Sequence, residues 1–278
     1  MELEEFERNN SQSRLLSSPV PQICRTEDCC LGIDEAGRGP VLDSKTLSEA
    51  DRERLFEKLN GSSDYIGWAL HILSPNIIST SMQQRAKYNL NALSHDTAIG
   101  LIQFALDAGV QLTEVFVDTV GPAEKYQEKL KKIFPELDVT VRPKADSLFP
   151  VVSAASICAK VARDRVVKDW KFVEDLGELD ADYGSGYPND PKTKEWLSRH
   201  LDPVFGYPQF VRFSWSTAQT ILDNKATPVA WGDEDDDSAG GKSSTPSVLS
   251  FFSAPKDVSQ PQSHRFFQER HLQPLLEF

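Results

Sequence analysis

Apolar residues in this chain fall into short strand-like runs separated by longer stretches of helical period. Leu31-Gly32-Ile33 is a brief apolar run that ends on Asp34 and Glu35. From Asp43 the stretch DSKTLSEADRERLFEKL alternates charge, with Leu47, Leu55 and Leu59 on one helical face. It predicts a helix capped by Asp43 or Ser44 and ending at Asn60-Gly61. Asp64 to Leu73 is rich in aromatic and β-branched residues and predicts a strand closed by Ser74-Pro75. Leu90, Leu93, Thr97, Leu101 and Ala105 recur at helical spacing, with Gly109 placed as a C-cap.

The alternation continues. EVFVDTVG predicts a strand ending at Asp118, AEKYQEKLKKIF a helix, and DVTVRPKAD a strand leading to Asp146. A long helix is expected from Pro150 to Leu176, with proline in its first turn, where a missing N–H costs nothing. Strands alternating with helices predict an α/β protein built on a mixed sheet. Residues 1–23 read as a flexible polar segment, 24–225 as the folded domain with a helical C-terminal part, and 226–278 as an acidic, low-complexity, disordered tail.

Composition changes this picture little. The net charge of −12 argues mildly against a nucleic-acid partner, but part of it is one run, Asp233 to Asp237. The four cysteines lack the paired spacing of a zinc site and are expected to be reduced thiols. No apolar run offers a membrane span, and the acidic start Met1-Glu2-Leu3-Glu4-Glu5 shows no secretory signal, so a cytosolic or nuclear protein is expected.

Three strand ends carry acid: Asp34-Glu35, Asp118 and Asp146. One such acid is ordinarily an N-cap or a surface charge. Four, at three strand–loop junctions of one α/β domain, fall where such sheets gather function. Carboxylates brought together repel, and a bound cation relieves the repulsion. Oxygen ligands without His or Cys favour Mg²⁺ or Mn²⁺ over zinc, which points to phosphoryl-transfer or phosphodiester chemistry. Gly37-Arg38-Gly39 lets backbone approach a ligand and offers a guanidinium to phosphate, although an ordinary tight turn reads the same way. Asp182 to Pro188 sets tyrosines among glycines, either to present a ring to a sugar or base or simply as structure. Lys144, Lys160, Arg163, Arg165 and Lys168 add basic charge near the third acid, or form a solvated helix face.

GIDEAGRGPVL, DSKTL, FVDTVG, KADSLFPVVSAASICAKVARD and DYGSGYPNDPKT, in this order, resemble type-2 ribonuclease H. Over residues 15–225 the resemblance is to the catalytic chains of the heterotrimeric eukaryotic enzymes of that family. It implies a ribonuclease H-like fold. It also implies an endonuclease that cuts the RNA strand of RNA–DNA hybrids and nicks DNA 5′ of an embedded ribonucleotide. By resemblance Asp34, Glu35, Asp118 and Asp146 are the catalytic, metal-binding carboxylates, served by Mg²⁺ or Mn²⁺. Gly37, Arg38 and Gly39 read the ribose 2′-hydroxyl, Tyr187 packs on the sugar at the junction, and Lys45 contacts backbone phosphate. The implied partners are the two non-catalytic members of the heterotrimer, and the implied location is the nucleus. Thr245 to Phe252 in the tail is similar to a sliding-clamp-binding peptide, with threonine where glutamine is usual.

One departure stands out. In the family, GRGPVL continues through a turn into a second strand before DSKTL; here Leu42 runs directly into Asp43. The resemblance therefore predicts a sheet lacking the strand between those ending at Asp34 and Leu73. It allows a second reading, a catalytically impaired isoform whose only role is assembly or competition within the complex. A third, a Mg²⁺-dependent phosphatase or other nuclease on the same acids, gives no joint account of the GRG and GSGYP loops.

Overall fold

The computed structural model describes residues 1, 3–37, 47–84, 88–174, 183–184, 190–212 and 215–228. Arg38, Gly39, Lys45, Tyr187 and the tail from residue 229, including the clamp-like peptide, lie outside them. The chain runs α1 (Glu4–Arg8), β1 (Arg14–Ser17), a 3-10 turn (Gln22–Arg25), β2 (Cys29–Ile33), α2 (Glu49–Gly61) and β3 (Ala69–Ile72). Then come α3 (Pro75–Met82), α4 (Leu90–Asp107), β4 (Leu112–Asp118), α5 (Ala123–Ile133) and β5 (Asp138–Arg142). A short α6 (Ala145–Leu148), the long α7 (Pro150–Lys168), α8 (Pro191–Arg199) and α9 (Ser216–Lys225) complete it.

Side-chain caps set several helix starts. Ser48, Ser74, Asn89 and Asp190 each accept a first-turn backbone N–H, opening α2, α3, α4 and α8. Ser48 thus supplies the cap that the charge pattern assigned to Asp43 or Ser44, and α2 buries Phe56 more deeply than its leucines. Gly109 closes α4 at φ +80°, its N–H bonded to the Leu106 carbonyl. Helix α7 stops at Lys168 instead of Leu176. Beyond it Trp170 and Phe172 leave helical spacing to pack on Phe210, so tertiary packing overrides the local pattern.

Residues 1–23 are not a loose segment. Phe6 is buried edge-on to Trp170, the Asn10 side-chain amide donates to the Lys171 carbonyl at 2.7 Å, and β1 pairs with β3. Contacts remote in sequence order them, which composition does not register. All four cysteines are free thiols.

The strands form two ladders rather than one. β2, β4 and β5 make a parallel sheet in that order, and β1 and β3 make a separate antiparallel ribbon. Among the described residues no strand pair joins them. Helix α7 packs against β2 and β4 and also against β3, so one helix underlies both ladders. The main core gathers Ile33, Val115, Val117, Val139, Val141, Ile102 and Leu130; a second groups Phe56 and Leu70 with Cys158 and Val161 of α7. Trp196, Leu197, Tyr207, Val211 and Ala218 form a third around α8 and α9.

Gly32 sets how closely α7 can lie on the sheet. A Cβ there would stand 2.3 Å from the Val151 carbonyl oxygen and 2.7 Å from the Val152 nitrogen, both backbone atoms that cannot swing aside. Gly32→Ala is expected to destabilise the protein by about 3 kcal/mol through this overpacking, as read by urea denaturation. An unchanged midpoint would show that α7 shifts freely.

Candidate active site

Strand register brings two of the four acids together. β2 and β4 are parallel neighbours with Ile33 opposite Val117, so the next residues along, Asp34 and Asp118, emerge side by side at the carboxyl ends. Asp118 lies opposite Arg142 on β5. Its Oδ1 accepts from the backbone N–H of Thr119 at 3.1 Å and of Ala145 at 3.0 Å. The second bond depends on Lys144, whose left-handed backbone (φ +56°) turns the chain into α6 so that the Ala145 N–H points back. Asp118 therefore ties the end of β4 to the helix that carries Asp146.

Asp34 is half-buried and its Oδ1 accepts from the Glu35 N–H at 2.7 Å. Burial pushes its carboxyl up to about 6. The neighbouring charge of Asp118 pushes the same way, against the pull of Ser156, the Glu35 N–H and Lys160. Glu35 and Asp146 are also half-buried, and the Ser147 hydroxyl bonds Asp146 at 3.4 Å. Among the described residues no three His, Cys, Asp or Glu side chains stand close enough to hold a metal together. The structure thus pairs Asp34 with Asp118 and brings Asp146 within one short helix of them. The all-oxygen donors and the mutually repelling Asp34–Asp118 pair fit a hard divalent cation.

A carboxyl raised in the folded state ionises there at higher pH than in the unfolded chain. Its stabilising contribution is complete below the unfolded value near 4 and is lost as pH rises through about 6. In metal-free buffer the protein is expected to lose about 1–3 kcal/mol between pH 4 and pH 7 that Asp34→Asn does not lose. Urea titrations at both pH values check this; parallel profiles would refute it.

Helix α7 supplies what sequence reasoning undervalued. Ser156, Lys160 and Arg163, four and three residues apart, share one face of it. Ser156 and Lys160 act on Asp34, and Arg163 Cγ lies 3.8 Å from where a Gly37 Cβ would stand. Lys160 is only 8% exposed, so it belongs to no solvated face. Lysine is almost never buried without a charge partner, and nothing in the spacing of the chain marks Asp34 as that partner. The remaining basic residues divide. Arg165 makes two bonds to Glu53 at 2.9 and 2.5 Å, and Arg52 reaches Asp164 at 2.6 Å, clasping α2 to α7. Arg163 pairs with Asp164 at 3.1 Å, while Lys168 is exposed.

The family model described as Ribonuclease HII matches residues 41–218. The chain belongs to the ribonuclease HII family. Among ribonuclease HII relatives, the A chain of the ribonuclease H2 complex of Bos taurus is 57% identical over 297 residues, with 98% of each chain covered. Its counterpart from Homo sapiens is 56% identical over 298 residues, again with 98% of each. A crystal structure of ribonuclease H2 from Pyrococcus horikoshii OT3 superposes with a TM-score of 0.53 at 30% identity, covering 70% of this chain and 97% of that one. The RNase HII of Archaeoglobus fulgidus, solved in a complex with PCNA, gives 0.54 at 29%, covering 70% and 100%.

Two of these matches bear on the junction after Leu42. The ribonuclease HII match begins at residue 41, past Asp34 and Glu35. The bovine alignment runs over 297 positions, whereas 98% of this 278-residue chain is about 272 residues, leaving about 25 positions filled by the bovine chain alone.

Proposed function

We propose that this chain is the catalytic member of a ribonuclease H that hydrolyses the RNA strand of RNA–DNA hybrids and nicks DNA 5′ of an embedded ribonucleotide. The observation that carries this reading is the Asp34–Asp118 pair at adjacent parallel strand ends in a ribonuclease HII chain. Asp34, Glu35, Asp118 and Asp146 would hold Mg²⁺ or Mn²⁺, which would supply the positive charge that lets carboxylates and a phosphodiester share one site. The chain's own groups do the positioning. Thr119 and Ala145 N–H fix the Asp118 carboxylate, and the Lys160 charge favours the ionised form of Asp34. Gly37-Arg38-Gly39 would read the ribose 2′-hydroxyl, Tyr187 would pack on the sugar, and Lys45 would hold backbone phosphate. Water adds to phosphorus as the 3′ oxygen departs, leaving 3′-hydroxyl and 5′-phosphate ends. Two non-catalytic partner subunits and a nuclear setting complete the proposal, in keeping with relatives whose names make them one component of a larger enzyme.

The split sheet favours a second reading, an impaired isoform that assembles without cleaving. One experiment separates them: the chain assembled with its two partner subunits, Mg²⁺, and a duplex carrying one ribonucleotide. Nicking 5′ of the ribonucleotide, absent on an all-DNA duplex, supports the enzyme. An assembled complex that does not nick supports the impaired isoform.

A further inference from the structure

We infer that the cleft between β2 and β3 is a strand-binding slot, which takes an extended, uncharged apolar segment of about five residues from another polypeptide. The inference rests on the fold and not on the proposed cleavage.

Two backbone edges face this cleft. β2 bonds β4 on one side and β3 bonds β1 on one side; among the described residues neither has a partner on the other. Both edges line a cavity of about 1270 Å³. Leu31 and Ile33 of β2, Leu70 and Ile72 of β3, Leu101 of α4 and Cys158 of α7 all contribute to its walls. Unpaired N–H and C=O groups beside apolar walls are a template for one more strand. A segment laid there would bond on both sides and be covered by α4 and α7.

The surroundings specify the occupant. A strand buried on both faces is a near-continuous apolar run, not an alternating one. The edges are four and five residues long, which sets its length. Asp34, Glu35 and Asp118 also line the cavity, so an acidic residue is excluded where the segment meets them and a basic one is favoured. The bovine relative has about 25 positions that this chain lacks, so the strand must be supplied from outside. A second folded copy presents β2 and β3 recessed in the same way, which leaves a separate extended segment as the occupant.

The probe is a synthetic peptide spanning the positions by which the bovine chain exceeds this one, added to the full chain without substrate or divalent cation. A peptide with proline at its central apolar residue is the control, since proline cannot complete the ladder. At saturation the unfolding midpoint should rise by about 5 °C and the proline peptide should leave it unchanged. Amide exchange should slow at least tenfold at both Cys29–Ile33 and Ala69–Ile72. No shift, or protection on one strand alone, overturns the slot. So does tight binding that appears only after residues 229–278 are removed, because the chain's own tail would then be the occupant. A chain that is dimeric until the peptide is added would equally overturn it in favour of a second copy. Loss of cleavage activity would bear on the proposed function and leave these readouts untouched.

Discussion

Inserting the bovine segment of about 25 residues between Leu42 and Asp43 is expected to raise the unfolding midpoint by about 10 °C and cleavage by at least about 100-fold. The added strand would pair with both open edges and join the two ladders into a single sheet. Burying three or four large apolar side chains contributes roughly 5–10 kcal/mol. Ordering the strand costs about 1–2 kcal/mol per residue, which leaves a net gain of a few kcal/mol. For a domain of this size each kcal/mol moves the midpoint by about 2–4 °C. The larger gain in rate follows from position. Asp34 sits at the end of an edge strand whose outer side has no ladder, and a displacement of about 1 Å at a reacting group can cost about 100-fold. Calorimetry and single-ribonucleotide nicking check the two halves separately. An insertion that leaves both unchanged would mean that α7 alone holds the ladders in working register.

Asp118→Asn is expected to lower cleavage by at least about 1000-fold while leaving the fold intact or firmer. Asparagine keeps an oxygen where the Thr119 and Ala145 N–H groups donate, so β4 stays tied to α6. The substitution removes a negative charge that holds the Asp34 carboxyl up, so Asp34 ionises at lower pH and the metal-free protein gains stability at neutral pH. A residue of purely structural importance would lose stability and activity together. Here they should move in opposite directions, read by thermal melts beside nicking rates. A variant that melts earlier than the parent would count against this account of Asp118.

Most of the fold was legible because its strands and helices have clean periods. EVFVD and DVTVR alternate or run apolar as buried parallel strands do, and β4 and β5 occupy those stretches. The acids were legible as strand ends, since a strand that stops at a carboxylate offers it to the sheet's edge. Their pairing was not, because register between β2 and β4 is a tertiary fact. Lys160 was misjudged for a related reason: a lysine on a long helix is ordinarily solvated, and only the approach of β2 across Gly32 buries this one. The order in residues 1–23 was hidden because Phe6 and Asn10 find their partners some 160 residues away. The capping role of Ser48 was obscured by equally good caps, Asp43 and Ser44, just before it.

The two ladders share a helix but no backbone hydrogen bond among the described residues, and this divides the domain's cooperativity. Structure that is joined through side chains alone opens in separate steps, each with its own free energy. The parallel sheet, with its core of Val115, Val117, Val139 and Ile102, forms the more resistant unit. The β1–β3 ribbon is anchored by Phe6, Asn10 and Leu70 and can peel from α7 while that unit persists. Asp34 and Asp118 both belong to the resistant unit, so the paired acids outlast the opening of the ribbon. A protease meeting this protein in its partly opened state would find its first cuts near the amino terminus, with the acids still side by side.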